Sequence, residues 1–252
     1  MTASRKAPEF RRRVAVVTGG SSGIGRELCR MLRQEYITYS FDQKAPRRPI
    51  EGVAHLDCDI ASQLQVIDAF SLIAKPVDLL VNNAGVLRRG SMTDIDEFEL
   101  DEMVKVNIMG SWRMIREGFR NLSQNATLLQ ISSERAIYPR EDVEMYGLSK
   151  NFVMEMASQL SDKLERERSG IRVKIALFGP VSTAMLSSLG EERVEKLRGI
   201  TISTRLAAKL AEGLLKSDYQ LLRFDDPREE KSWKTGRYVF ENFNNSGYKF
   251  AT

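Results

Sequence analysis

Short apolar runs alternate with longer amphipathic stretches along most of this 252-residue chain. The first run, VAVVT at 14–18, is rich in β-branched residues and ends in glycines, as is typical of a buried parallel strand. The stretch that follows, residues 24–35, has the spacing of an amphipathic helix. Similar apolar runs predict further strands at 37–42, 53–57, 77–83, 126–132 and 171–177.

Helices are expected between most of these strands. The clearest helical patterns lie at 61–74, from about Ile95 to Leu122, and around Tyr146. Because strands that alternate with helices form βαβ units, the pattern predicts a parallel sheet.

The pattern weakens after about Met185, although three features are still recognisable. Residues 205–217 have helical spacing, residues 223–234 are polar and predict a loop, and residues 235–243 predict a last strand, the seventh. No internal repeat or linker interrupts the chain, so one domain is predicted over 13–252.

The formal net charge of +4 is concentrated at the start of the chain. Residues 1–13 carry five Arg or Lys side chains against one Glu, so the remainder is formally neutral. A nucleic-acid-binding domain requires a basic face, so no nucleic-acid partner is expected. Residues 1–12 are predicted to be a basic, flexible tail.

The compartment is inferred from what the chain lacks. No apolar run approaches membrane-spanning length and the N-terminus has no apolar signal core, so we predict a cytoplasmic protein without a membrane partner. Cys29 and Cys58 are expected to be free thiols. The only histidine, His55, has no neighbours with metal-ligand spacing, and no metal is expected.

The helix around residue 150 places a lysine on its apolar face. Tyr146, Lys150, Val153, Ala157 and Leu160 recur at the spacing of one helical stripe. Burying an ammonium group is costly unless it is paired or has a function. Lys150 therefore either extends to the surface or acts together with Tyr146, one turn before it.

The glycine-rich sequence TGGSSGIG, at 18–25, joins the first strand to the first helix. Glycines at such a turn let the backbone approach a pyrophosphate, whose charge is favoured at the helix N-terminus. The alternative is a plain glycine turn, but the strand–turn–helix context favours the phosphate site.

Asp42 ends the second predicted strand. A carboxylate there accepts hydrogen bonds from an adenosine ribose and repels a 2′-phosphate, which favours NAD over NADP. Lys44, Arg47 and Arg48 lie nearby and leave NADP open, since arginine can bind that phosphate.

Other polar motifs flank the central strands. NNAG at 82–85 ends the fourth strand, and Ser132 and Ser133 end the fifth. Asn107 lies on an apolar helix face, where its amide requires hydrogen-bond partners. Ligands of open parallel sheets bind at the carboxyl ends of the strands, so these residues are candidates for one site.

In combination, these motifs resemble the short-chain dehydrogenase/reductase family. TGxxxGIG, the acid after the second strand, NNAG, the helix Asn, a Ser thirteen residues before a Tyr, and YxxxK occur in order between about 13 and 183. The resemblance implies an α/β fold: a single Rossmann-type, doubly wound domain with a mostly or wholly parallel seven-stranded sheet flanked by helices. It also implies an NAD(P)-dependent oxidoreductase.

The resemblance further implies a catalytic set. Tyr146 would be the general acid/base, and the cationic Lys150 would lower its pKa from about 10 and bind the nicotinamide ribose. Ser133 would orient the substrate oxygen, and Asn107 would hold a water in the proton path. These roles would explain the lysine on the apolar stripe.

The resemblance also implies contacts with the cofactor. The glycine-rich turn would line the pyrophosphate, Asp42 would bind the ribose, and Asp59 with Ile60 would lie at the adenine. The full implied set is Gly19, Ser21, Ser22, Gly23, Ile24, Asp42, Asp59, Ile60, Asn83, Ala84, Gly85, Tyr146, Lys150, Gly179, Val181 and Thr183.

The chain departs from the family pattern in regions that shape the substrate pocket. Phe178 stands where the family usually has proline, just before the substrate-loop region, 184–203. The C-terminal region, 218–252, also diverges. The substrate is therefore not predicted from the resemblance.

Arginines provide one indication of the substrate. Arg88 and Arg89 follow NNAG, while Arg135 and Arg140 follow Ser133, and in the family fold both segments border the mouth of the site. Guanidinium groups suit carboxylate or phosphate, so an anionic hydroxy or keto substrate is a hypothesis, with Arg88 and Arg135 as its ligands. The alternative is solvated surface arginines.

The prediction is an NAD-dependent enzyme that transfers a hydride between a secondary alcohol or ketone and nicotinamide, assembled as a homodimer or homotetramer as family members commonly are. One alternative is an NADPH-dependent carbonyl reductase that uses Lys44, Arg47 or Arg48. Others are a non-catalytic dinucleotide-binding sensor and a scaffold that acts through the basic tail.

Overall fold

The computed structural model describes residues 12–225 and 237–241. Strands of this part of the chain form one sheet: β1 (Arg13–Thr18), β2 (Tyr36–Asp42), β3 (Val53–Asp57), β4 (Val77–Asn82), β5 (Leu122–Ser133), β6 (Arg172–Phe178), β7 (Leu221–Asp225) and β8 (Arg237–Glu241). Their order is β3-β2-β1-β4-β5-β6-β7-β8. All neighbours are parallel except β7 and β8, which are antiparallel.

Helices connect most of the strands. The α-helices of the described chain are α1 (Gly23–Leu32), α2 (Gln63–Ser71), α3 (Glu97–Met103), α4 (Ser111–Phe119), α5 (Glu144–Arg166), α6 (Ala184–Ser187), α7 (Glu191–Leu197) and α8 (Thr204–Lys216). A π-helical segment, Val104–Gly110, joins α3 to α4, and a 3₁₀ turn, Glu134–Ala136, follows β5.

Strand β1 is buried on both faces of the sheet, which explains its unbroken apolar run. Val14 and Val16 belong to an apolar cluster shared with α2, α4 and α5. Ala15 and Val17 belong to a second cluster shared with α1 and α8. Helices therefore cover both faces, and the predicted Rossmann-type, doubly wound α/β class is confirmed.

The C-terminal edge of the sheet differs from the prediction. The loop predicted over 223–234 is wrong at its start, because β7 extends to residue 225. Leu221, Leu222 and Phe224 are buried, since β7 lies between β6 and β8. The last predicted strand is present as β8, so the sheet has one strand more than expected.

The long helix predicted from about Ile95 to Leu122 is not uniform. It begins with α3, widens into the π-helical segment and ends with α4. Asn107 lies in the middle of the π-helical segment. Such segments are rare in proteins and occur frequently at functional sites.

The predictions about thiols and termini have separate outcomes. Cys29 and Cys58 are buried and unbridged, as predicted, and burial raises the pKa of each to about 12.

Among the described residues, no helix has both the length and the apolarity needed to cross a bilayer. The predicted tail, 1–12, lies outside the described residues except for Arg12.

A buried lysine closes the C-terminal end of α8. Lys174 lies within β6, and its Nζ donates to the carbonyl oxygens of Leu214, Ser217 and Tyr219 at 2.9, 2.7 and 2.6 Å. The negative end of the helix dipole also favours a cation at this position. Lys174 therefore ties α8 to the sheet.

Replacing Lys174 by Met should lower the free energy of unfolding by roughly 2–3 kcal/mol, because three carbonyl groups lose their donor. Burial lowers the pKa of Lys174 to about 8, but these three hydrogen bonds offset the cost of burying the ammonium. Lys209→Met, at an exposed position of α8, is the matched control and should change stability by less than about 0.5 kcal/mol. Urea unfolding measures both. Equal stability of the two variants would show that the Lys174 contacts contribute nothing.

Candidate active site

The glycine-rich turn is held at the junction of β1 and β4. The Thr18 hydroxyl oxygen accepts hydrogen bonds from the N–H groups of Asn83 and Ala84, each at 2.9 Å. Gly25 packs so closely beneath the turn that a Cβ there would lie 2.3 Å from the Gly19 carbonyl oxygen. Helix α1 begins inside the turn, so its first N–H groups are available to an anion.

Asp42 joins the end of β2 to this turn. Its carboxylate accepts hydrogen bonds from the N–H groups of Ser21 and Lys44, both at 3.1 Å. Each oxygen keeps a further lone pair for a ribose hydroxyl. Lys44, Arg47 and Arg48 are exposed on the loop that follows.

Asp59 and Ile60 lie between β3 and α2. The Asp59 carboxylate accepts a hydrogen bond from the Ala61 N–H at 2.9 Å. Ile60 is buried against Gly110, where a Cβ would lie 2.7 Å from the Ile60 side chain. Their expected contact with adenine stays a prediction.

Tyr146 and Lys150 lie on the buried face of α5, opposite the end of β5. Ser133 and Tyr146 line the same cavity, and Lys150 Nζ lies 5.8 Å from the centre of the Tyr146 ring. Ser132 Oγ donates to the Lys150 carbonyl at 2.7 Å and holds this turn of α5 on the sheet. Lys150 is only 5% exposed, so it does not extend to the surface.

Asn107 is buried beneath these residues and its amide is well satisfied. Its Oδ1 accepts from the Val86 N–H at 2.8 Å, while Nδ2 donates to the Val86 carbonyl and to Ser149 Oγ, both at 2.9 Å. Asn107 therefore clamps the segment after NNAG to α5. Its expected water-holding role stays a prediction.

Burial dominates the electrostatics of the site. It raises the pKa of Tyr146 to about 12, while the hydrogen bond from Ser133 acts in the opposite direction. The charge of Glu134 raises this pKa further, and the charge of Arg135 lowers it. Burial also lowers the pKa of Lys150 to about 8. The expectation that Lys150 lowers the Tyr146 pKa is therefore wrong for this structure, because burial raises that pKa and Lys150 is not among the groups that shift it.

The two arginines expected to bind an anionic substrate are both paired with carboxylates. Arg135 is buried, and its Nε and Nη2 donate to Glu134 Oε1 at 3.0 and 2.7 Å. Arg135 Nη1 donates to the Tyr138 carbonyl at 2.9 Å. Arg88 Nη2 lies 2.6 Å from the Glu102 carboxylate. Binding of an anion by Arg88 and Arg135 gains no support from this geometry.

Phe178 is buried at the end of β6 and lines the cavity described below. Gly179 has no room for a side chain, since a Cβ would lie 2.5 Å from Glu134 Oε2. A Cβ added to Gly23 would lie 3.3 Å from Thr183 Cγ2. The segment after β6, which contains Thr183, therefore packs against the glycine-rich turn.

One cavity unites most of the predicted residues. Those that line it are Gly19, Ser22, Gly23, Ile24, Asn83, Ala84, Gly85, Ser133, Arg135, Tyr146, Lys150, Gly179, Val181 and Thr183. Those that do not are Ser21, Asp42, Asp59, Ile60, Arg88 and Asn107.

The cavity also contains residues that the sequence analysis missed. They include the charged residues Glu134, Asp142 and Arg193, and the apolar residues Leu186, Leu189 and Leu197. Arg193 lies in the charged sequence EERVEKL, which is typical of a solvated helix. No local motif distinguishes it from surface arginines.

The residues fit a nicotinamide dinucleotide. Gly19 has a φ of +67°, which glycine adopts without strain, and the N-terminus of α1 favours a pyrophosphate. A Cβ at Gly85 would lie 2.9 Å from Lys150 Nζ, so only backbone fits beside the ammonium. Asp42 supplies acceptors for a ribose at the other end of the turn.

Comparison with known proteins agrees with this geometry. Residues 13–194 match the family model for short chain dehydrogenases. Glucose and ribitol dehydrogenase from Daucus carota is 30% identical over 218 residues, covering 76% of this chain and 73% of that protein. The 3-oxoacyl-[acyl-carrier-protein] reductase MabA from Mycobacterium avium is 24% identical, covering 75% and 74%.

Solved structures share the fold. A short chain dehydrogenase from Burkholderia cenocepacia in complex with NADP has a TM-score of 0.73 and 24% identity, covering 83% of this chain and 86% of its own. Aldohexose dehydrogenase from Thermoplasma acidophilum has a TM-score of 0.73 and 19% identity, covering 89% and 91%. The chain thus belongs to the short-chain dehydrogenase/reductase family and is an NAD(P)-dependent oxidoreductase that acts on CH–OH groups.

Proposed function

We propose that this protein transfers a hydride between NAD and a secondary alcohol or ketone, with Tyr146 as general acid/base. The observation that carries this proposal is that Ser133, Tyr146 and Lys150 line one cavity, with Ser133 close enough to Tyr146 to act on its pKa. Two adjacent hydroxyl groups bind one substrate oxygen and move a proton to or from it. The bound nicotinamide supplies or accepts the hydride.

The roles of the hydroxyl groups follow from their environment. In reduction, the Tyr146 phenol donates its proton to the substrate oxygen while Ser133 holds that oxygen. The raised pKa of Tyr146 supports this direction, because the phenol is protonated at neutral pH. In oxidation, Tyr146 must first lose its proton, and the Lys150 ammonium stabilises the phenolate.

Asn107 acts as a positioning residue in this proposal. Its amide fixes the Val86 backbone relative to Ser149, one residue before Lys150. The π-helical segment places the Asn107 amide next to Gly85. A Cβ added to Gly85 would lie 3.1 Å from Asn107 Oδ1.

A preference for NAD is supported by Asp42. Its carboxylate lies at the glycine-rich turn and would repel a 2′-phosphate. The rival is an NADPH-dependent carbonyl reductase, which the NADP bound to the Burkholderia cenocepacia structure favours. In that case the exposed Lys44, Arg47 or Arg48 would contact the phosphate.

Assembly and compartment complete the proposal. Trp112, Leu148 and Phe152 are large apolar side chains exposed on α4 and α5, which supports a homodimer or homotetramer that light scattering would detect. A cytoplasmic location accords with the buried, unbridged cysteines. A non-catalytic sensor is less supported, since Asn107, Ser133, Tyr146 and Lys150 are all present.

Tyr146→Phe should lower the turnover rate by about 10²–10⁴-fold, because the acid/base group is lost. Affinity for the cofactor should remain close to that of the wild type. The assay follows nicotinamide absorbance with NAD or NADP on a pool of secondary alcohols and hydroxy acids. Tyr219→Phe, at an exposed tyrosine, is the control. A Tyr146→Phe variant with more than a tenth of the wild-type rate would exclude the acid/base assignment.

The Asp42 carboxylate should make NADH bind at least about tenfold more tightly than NADPH, a difference of about 1.4 kcal/mol. Asp42→Ala should abolish this preference, whereas Asp57→Ala, at an exposed carboxylate on the adjacent strand, should keep it. Fluorescence titration with both reduced cofactors measures the ratio. Tighter binding of NADPH to the wild type would overturn the role of Asp42 and favour the three basic residues.

Lys150→Met should stabilise the cofactor-free protein at pH 7 by roughly 2–3 kcal/mol, because burial lowers the pKa of Lys150 from 10.5 to about 8. The pKa of Lys150 is lower in the folded state than in the unfolded state. Burial of its ammonium group therefore lowers the stability of the protein most below pH 8. The gain of the variant should shrink as pH rises from about 8 to 10.5.

Urea unfolding at pH 7 and pH 10 tests this stability effect. Lys163→Met, at an exposed position of α5, should behave like the wild type at both values of pH. If Lys150→Met is less stable than the wild type at pH 7, the ammonium has compensating contacts and does not reduce stability.

A further inference from the structure

We infer that Gly147 is a positioning residue of the active site. Its lack of a side chain lets α5 lie against the backbone of Arg135, and this contact sets the distance between Tyr146 and Ser133. The inference rests on the proposed function, since it concerns the placement of the two hydroxyl groups that act on the substrate oxygen. Gly147 follows Tyr146 directly in the chain and does not itself line the cavity.

Helix α5 approaches the 3₁₀ turn after β5 so closely at Gly147 that no side chain fits between them. A Cβ added to Gly147 would lie 2.7 Å from the Arg135 carbonyl oxygen. Carbon and oxygen atoms in close contact are about 3.3–3.6 Å apart, so an alanine requires a further separation of roughly 0.6 Å or more. Because the obstacle is a backbone atom, it cannot rotate away as a flexible side chain does. An alanine therefore has to displace α5 or the turn.

The Arg135 backbone connects this contact to the Ser133 hydroxyl. The N–H of Arg135 donates to Ser133 Oγ at 3.2 Å, while its carbonyl oxygen faces Gly147. Main-chain atoms of one residue therefore hold the serine on one side and the start of α5 on the other. Since Tyr146 precedes Gly147 in α5, the separation of the two hydroxyl groups depends on this residue.

A hydrogen bond one helical turn further along holds the same two elements together. Asn151 Nδ2 donates to the Ala136 carbonyl oxygen at 2.9 Å. Asn151 is four residues after Gly147, so both lie on the same face of α5. The helix is thus attached to the turn by a close backbone approach and by an amide hydrogen bond.

Lys150 is held by a separate contact with the sheet. Ser132 Oγ donates to the Lys150 carbonyl oxygen at 2.7 Å, and Ser132 belongs to β5 rather than to the turn. A side chain at Gly147 should therefore tilt the first turn of α5 about this contact. Tyr146 should move away from Ser133, while Lys150 keeps its place in the cavity.

The test replaces Gly147 by alanine, with Gly213→Ala as the matched control. Gly213 is exposed on α8, so its replacement gives the same gain in helix propensity without the contact. Crystal structures of the wild type and both variants measure the distance from Tyr146 Oη to Ser133 Oγ. We expect this distance to increase by roughly 0.5 Å or more in Gly147→Ala alone.

Kinetics separate positioning from a general loss of structure. With the most active alcohol of the pool, Gly147→Ala should lower kcat about 10–100-fold, because a misplacement of about 1 Å can cost 10²-fold. KM and the affinity for NADH, measured by fluorescence titration, should stay close to the wild-type values. Gly213→Ala should match the wild type in all three. An equal loss of kcat and of cofactor affinity in Gly147→Ala would indicate a purely structural role and would contradict the inference.

Asn151→Leu is the second variant and keeps the test decisive if Gly147→Ala does not fold. It removes the hydrogen bond to the Ala136 carbonyl oxygen without placing bulk against Arg135. We expect a longer Tyr146–Ser133 distance and a lower kcat, both by less than in Gly147→Ala. If Gly147→Ala does not fold and Asn151→Leu keeps the wild-type distance and kcat, the inference is wrong.

The structural measurement needs no turnover, so it separates this inference from the proposed function. A displaced Tyr146 in a protein that is inactive on the whole pool would contradict only the hydride transfer. An unchanged Tyr146–Ser133 distance in a folded Gly147→Ala variant would overturn the positioning role, whatever the activity of the wild type.

Discussion

The parallel register of β1, β4, β5 and β6 is the constraint on which the site depends. It places the carboxyl ends of these strands at one edge of the sheet, where open α/β sheets bind ligands. The Thr18 hydroxyl then joins β1 to the segment after β4, and Ser133 meets Tyr146 beyond the end of β5. Helices on both faces bury the strands, so this edge cannot shift without disrupting the core.

The end of the cavity that contains Tyr146 holds several buried charged groups. Lys150 lies under Tyr146, while Glu134 and Arg135 form an ion pair beside them. Such groups contribute little to stability because their desolvation offsets their attraction. Because they are shielded from water, Glu134 and Arg135 have a strong influence on the pKa of Tyr146. The charge of Glu134, which follows Ser133, raises the pKa of Tyr146, and the charge of the neighbouring Arg135 moderates that effect.

The opposite end of the cavity is built differently. Short helices α6 and α7 carry leucines and Arg193 over the same cavity, and the loop before α5 brings Asp142 and Arg140 to meet them. Members of one fold can change substrate through such segments while the strand ends keep the chemistry.

The sequence by itself determined the elements whose signals are local. The apolar run of β1, the glycine-rich turn and the spacing of Tyr146 and Lys150 depend on residues close in the chain, so periodicity and motif predict them. Tertiary structure alone decided the rest. The short strand β7 is stable because β6 and β8 flank it, and tertiary packing buries the sequence neighbours Glu134 and Arg135 as an ion pair. Arg193 meets Asp142 across 51 positions of sequence. Such pairings depend on how distant segments pack, which no local pattern encodes.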